Sequence, residues 1–301
     1  MKTTSNGKPS RRKTKTKQSQ PPPGPRTVER SLTQLARAVV QRGETLPQVA
    51  RLDMAQQLVH QAWETPSPRR RVELAQQAIA ISADCADAYL LLAEFTGNLA
   101  EARDLHQKAM LAGERALGQR AFAEDVGHFW GLLETRPYMR ARAGLASCLW
   151  HLGDLRGAIE HYQAMLRLNP NDNQGLRYVL VGCLLATDQD EAAERLLAQY
   201  EDEGAAAWVY SAALLAYRKH GDTSESREKR GEALKANPFV WPFLLGRRPI
   251  SKHLPDLIGY GDESEAVAYA ADHKAAWKKA PGAIAWLCSA AREPQSSRNR
   301  R

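Results

Sequence analysis

Gly153, Ala158, Tyr162, Met165 and Pro170 are separated by 5, 4, 3 and 5 residues, and Gly221, Ser226, Arg230, Ala233 and Pro238 repeat those intervals 68 residues later. Thr187, Ala192, Leu196, Gln199 and Gly204 fill the same frame midway, so three consecutive units share a 34-residue period. A fixed period of this length implies one supersecondary unit stacked on copies of itself, because a single unit cannot bury its own apolar face. The unit is helical. From Ser31 onward apolar residues recur at helical spacing (Leu32, Leu35, Ala36, Val39), and strand-like alternation of Val, Ile and Thr is almost absent. Breakers at Pro66, Pro68, Gly97, Gly118, Pro137, Gly153, Pro170, Gly204, Gly221 and Pro238 hold each helix to about 12–15 residues. The expected class is all-α: an α-solenoid of stacked helix-turn-helix repeats.

The first helix of each unit keeps the same register. Leu145-Ala146 with Leu149, Val179-Leu180 with Cys183, and Ala213-Leu214 with Tyr217 each place an adjacent pair and a third residue on one helix face. Small residues such as Ala146 and Ala158 let paired helices approach closely. With Gly153-Asp154 and Gly221-Asp222 at the turns and Asn169-Pro170 and Asn237-Pro238 at the ends, residues 139–240 resemble three tetratricopeptide repeats. Arg142 and Arg230 stand where that repeat usually carries an aromatic.

Two weaker units precede these within a helical region over 31–138. Tyr89, Leu92 and Ala93 lead to Gly97, Ala102, His106 and Ala109, and Leu58 and Ala62 lead across Pro66-Ser67-Pro68 to Ala75 and Ala78. Residues 117–138 fit no unit and read as an interposed helix. After Pro238 the pattern changes to FLLG at 243–246, GDESEAVAYA at 261–270, Trp277 and PGAIAWL at 281–287. That order is similar to the C-terminal part of the suppression-of-tumorigenicity family over roughly residues 230–290, a resemblance that implies interaction or regulation and brings no catalytic residues. Residues 241–290 read as a helical cap covering the apolar face of the last repeat, and 291–301 as a polar tail.

Charge separates the chain into two parts. Of 42 Lys and Arg against 34 Asp and Glu, residues 1–30 hold nine basic side chains and one acid, which leaves the remainder formally neutral. The segment 1–30 has no apolar periodicity and reads as a disordered basic tail. Clustered Lys and Arg of this kind suit nucleic acid, which is the alternative partner expected through 1–30. No run approaches the ~20 apolar residues of a spanning helix, so no membrane insertion is expected. Cys85, Cys148, Cys183 and Cys288 lie 35 or more residues apart and read as free thiols of a reducing, cytoplasmic protein.

No phosphate-binding glycine loop, nucleophile elbow or metalloprotease motif occurs, and Cys148-x-x-His151 lacks the second pair that zinc needs. Catalytic residues, cofactors and metals are therefore not expected. The inner face of the first helices is more informative, because stacking brings residues 34 apart side by side. It carries Arg140, Ala143, Ser147 and Trp150, then Gln174, Arg177, Val181 and Leu184, then Trp208, Ser211, Leu215 and Arg218. Arg140, Trp150, Arg177, Trp208 and Arg218 are the candidate ligand groove, with Asp53, Trp63, Asp87 and Glu94 at the corresponding places in the weaker units. The function this suggests is a protein-interaction scaffold taking a peptide or protein segment, an acidic one among the candidates, because guanidinium groups and indole rings dominate binding hot spots.

Overall fold

A computed structural model describes residues 47–251, 253–255 and 257–291. The basic segment 1–30, the periodic residues 32–39 and all but the first residue of the tail 291–301 lie outside the described residues. From Arg51 onward the described residues form one compact unit. It is all-helical, without strands among the described residues.

The helices pair as the period requires. α1 (Gln48–Glu64) and α2 (Pro68–Ile81) come first in the chain, and α3 (Ala86–Phe95) and α4 (Leu99–Glu124) form a hairpin. The regular units are α5 (Arg136–Leu152) with α6 (Leu155–Leu168), α7 (Leu176–Ala186) with α8 (Asp190–Gln199), and α9 (Ala206–His220) with α10 (Ser224–Ala236). Three further helices follow: α11 (Val240–Leu245), α12 (Glu263–Lys279) and α13 (Ala283–Ser289). None is long and apolar enough to cross a membrane.

Local chemistry sets these boundaries. Ser67 caps α2 by accepting from Arg70 N–H, with Pro68 in the first turn where its missing donor costs nothing. Gly153, at φ 92°, ends α5 in the left-handed conformation, and Asp154 caps α6 through Gly157 N–H. In the second unit Asp188 takes that role at φ 57°, which Asp tolerates better than most residues. Thr223 and Ser226 close a reciprocal capping box on α10.

Packing follows the register. Ala146, Ala158, Met165, Ala213 and Ala233 are fully buried, while Tyr162, Leu180 and Cys183 are nearly so. In the second unit Ala192 is only half-buried, and the neighbouring Ala193 makes the close contact. The two arginines at aromatic positions still serve rings: Arg142 donates to Tyr138 Oη at 2.6 Å, and Arg230 lies 4.8 Å over Trp286 while donating to its carbonyl.

The separate helix expected over 117–138 is not there. Instead α4 continues to Glu124 across a kink at Gly118 (φ 70°, ψ 167°), and turns carry the chain to α5. Gly118 allows this because a side chain at that φ would be strained. The longer α4 then packs along α5, with Gly113 against Tyr138 and Gly144 under the His106 ring.

The C-terminal helices do more than close the last repeat. α13 covers α9, with Trp286 stacked on Tyr217 at 4.6 Å. α12 instead packs on both α7 and α9, so it lies along the inner face of the second and third regular units.

Candidate functional site

α12 is held to that inner face over its full length. At its start Glu265 Oε1 accepts from Ala206 N–H at 2.8 Å, at the first turn of α9. Tyr269 lies 5.4 Å from Tyr210, ring to ring, and Trp277 lies 6.5 Å from the same ring. His273 rests over Gly182 in the middle of α7. At its end Lys279 reaches the Ala186 carbonyl and Asp188. The buried stripe is Ala266, Tyr269, Ala270, His273, Ala276 and Trp277, at helical spacing. Val181 and Ser211, which the register places on the inner face, are fully buried.

The five candidate groove residues fall into two groups. Arg140 and Trp150 are on α5, where the Arg140 side chain is 43 % exposed and Trp150 half-buried. The other three are enclosed. Trp208 retains 3 % of its surface and meets Tyr178 and Tyr200 edge-on at 6.0 and 5.9 Å. Arg177 joins the ends of α7 and α9: its Nη1 donates to Asp172 Oδ2 at 3.1 Å, and its Nη2 to Glu203 Oε2 at 2.6 Å. The guanidinium also lies 4.3 Å over the Tyr178 ring. Arg218 pairs with Asp188 and Asp190 and donates to the Leu185 carbonyl at 2.7 Å.

Each arginine therefore has an acidic partner on another segment of the chain. Arg140 Nη2 donates to Asp87 Oδ1 at 2.6 Å, and Gln56 Nε2 donates to Asp87 Oδ2 at 3.0 Å, so α1, α3 and α5 are linked through one buried carboxylate. This places side by side the acid of a weak repeat and the base of a regular one. Burial opposes ionisation of Glu203, but hydrogen bonds from Tyr178 and Arg177 outweigh it and hold the carboxyl below its ordinary value. In the Cys148-x-x-His151 pair, Cys148 is buried and His151 Nδ1 contacts the Ser147 carbonyl at 2.8 Å. No group of three or more metal-ligating side chains occurs among the described residues.

The ion-pair partners Asp172, Asp188 and Glu203 escape a reading by groove register because they sit in turns rather than at groove positions. The one available signal was their spacing, since each lies just before or after an inner helix.

A family model described as ST7 protein matches residues 48–294. The chain belongs to the ST7 protein family. The resemblance read over 230–290 thus extends through nearly all of the described residues. Its relatives include the Suppressor of tumorigenicity 7 protein-like of Bos taurus, 29 % identical over 250 residues covering 75 % of this chain and 45 % of that protein. The human protein of that name is 28 % identical over 250 residues, covering 75 % of this chain and 43 % of its own. Protein ST7 homolog of Drosophila pseudoobscura pseudoobscura is 28 % identical over 254 residues, covering 76 % and 46 %. The chain spans less than half the length of these ST7 relatives. Among solved structures, that of YrrB, a TPR protein with an unusual peptide-binding site, aligns with a TM-score of 0.45 at 20 % identity, covering 66 % of this chain and 90 % of that one.

Proposed function

We propose that this protein is an interaction scaffold that seats a peptide segment of another protein on the inner face of α3 and α5, centred on Arg140 and Trp150. The observation that carries the reading is α12. It is a helix seated lengthwise on the inner face of α7 and α9 through alanines, two aromatic anchors and one carboxylate on a backbone N–H. The inner face of α3 and α5 is built on the same register, and there Arg140 and Glu94 are exposed and Trp150 half-buried.

A binding role fits the charges better than a chemical one, because Arg140, Arg177 and Arg218 are each held in fixed pairs that build the frame. Arg140 spends one nitrogen on Asp87, and a guanidinium carries five N–H donors, so its exposed edge can still take a carboxylate from a ligand. A helix with Asp or Glu beside an aromatic or aliphatic anchor is the matching partner. Arg177, Trp208 and Arg218 support the seat from within the frame.

The test is selection of a displayed helical-peptide library on the full chain, followed by titration of the selected peptides. Trp150→Ala and Arg140→Gln should each weaken binding about tenfold or more with folding intact. Selected peptides indifferent to both substitutions would contradict the reading.

A further inference from the structure

We propose that the cavity enclosed between α7, α9, α12 and the loop before α12 binds an organic ammonium cation, either a small amine or an alkylated lysine side chain. The cavity measures about 360 Å³, within the range of small-ligand sites. Its mouth is formed by Ile258 and Tyr260, which are 58 % and 75 % exposed, and Tyr178 stands beside Tyr260 in the same lining. Val179, Ala205, Ala207 and Ala268 make the remaining wall apolar.

The charges decide the ligand class. Among the described lining residues there are two carboxylates, Glu265 and Asp272, and no Lys or Arg. Glu265 accepts from Ala206 N–H, Asn237 Nδ2 and Gly261 N–H, all neutral donors. Asp272 has no hydrogen bond or ion pair among the described residues; it is open to water but walled by protein on several sides, as suits a group in a hollow. Burial accordingly pushes its carboxyl up, with His151 acting against that shift. The lining histidine, His273, is kept neutral by burial, which lowers it to about 4. The exposed Tyr260 ring attracts a cation through its quadrupole, while Tyr178 already carries Arg177 on one face, and methylated ammonium groups add apolar contact. An anion would meet two carboxylates and no Lys or Arg among the lining residues, and a neutral ligand would gain nothing from Asp272.

The experiment is an NMR-detected titration of the full chain with three probes: choline, its neutral isostere 3,3-dimethylbutan-1-ol, and N-acetyl-Nε-trimethyl-lysine amide. Choline and the lysine derivative share the recognised group, and the tighter of them identifies a free amine or a side chain as the source. Asp272→Asn and Tyr260→Ala, both at water-exposed positions, should each weaken the cationic probes about fivefold or more, with melting midpoints unchanged. The neutral isostere should bind at least about fivefold more weakly than choline in the parent. The proposal is overturned if neither cation binds, if the isostere binds as well as choline, or if both variants bind like the parent.

Discussion

The imidazole of His273 rests on the backbone of α7 at Gly182, where a Cβ would stand 2.8 Å from Nε2 and 3.0 Å from Cδ2. That contact leaves no room for a side chain where α12 crosses α7. Substituting alanine at Gly182 should push α12 outward and destabilise the fold by about 1–3 kcal/mol. Gly231, in α10 with nothing near its missing Cβ, supplies the control. Gly231→Ala should be neutral or stabilising by up to about 1 kcal/mol, because a helix-interior glycine costs chain entropy. Urea melts of the two variants check both signs.

The same histidine gives the fold a pH dependence. Burial lowers it from 6.5 to about 4, so between those values the unfolded chain binds a proton that the folded chain refuses. Stability should therefore fall as pH drops through that window, by about 2–4 kcal/mol in total, and the contribution should level off below about 4. His273→Gln should reduce the slope. It should not abolish it, since burial also lowers His106, and burial with Arg142 lowers His161. Equal slopes in parent and variant would exclude His273 as the source.

Ala158 is fully buried between α5 and α6 and tests the repeat register itself. Ala158→Leu should overpack this contact and cost about 1–3 kcal/mol. Ala192→Leu, at the half-buried equivalent in α8, should cost less. A thermal melt showing the opposite order would contradict the packing of the second unit.

Much of this architecture could be read from spacing, because helix pairing is a local property. Gly153, Asp154, Ala158 and Met165 fall at a turn, a cap and two buried contacts, all within one hairpin. The inner face was harder to read, for a physical reason. Whether Arg177 is free depends on Asp172 and Glu203, and whether Val181 is open depends on a helix about 90 residues later; neither follows from helical periodicity. Residues 241–290 read as an end cap because Trp277 and Trp286 signal burial without indicating the surface they bury against. In the fold Trp286 meets the last repeat, as a cap should, while Trp277 carries α12 along the inner face. The continuation of α4 past Gly118 was hidden by the same ambiguity, since glycine marks a helix end and a kink equally well.

The central claim is that the inner face is divided, with α12 fixed over α7 and α9 and a seat available on α3 and α5. Hydrogen exchange on the full chain, with and without a selected helical peptide, measures this directly. The account predicts added protection in α3 and α5 and no change in α7, α9 or α12, whose Trp277 and Tyr269 are core residues. Loss of protection in α12 together with gain in α7 and α9 would contradict it, because the peptide would then have displaced the chain's own helix.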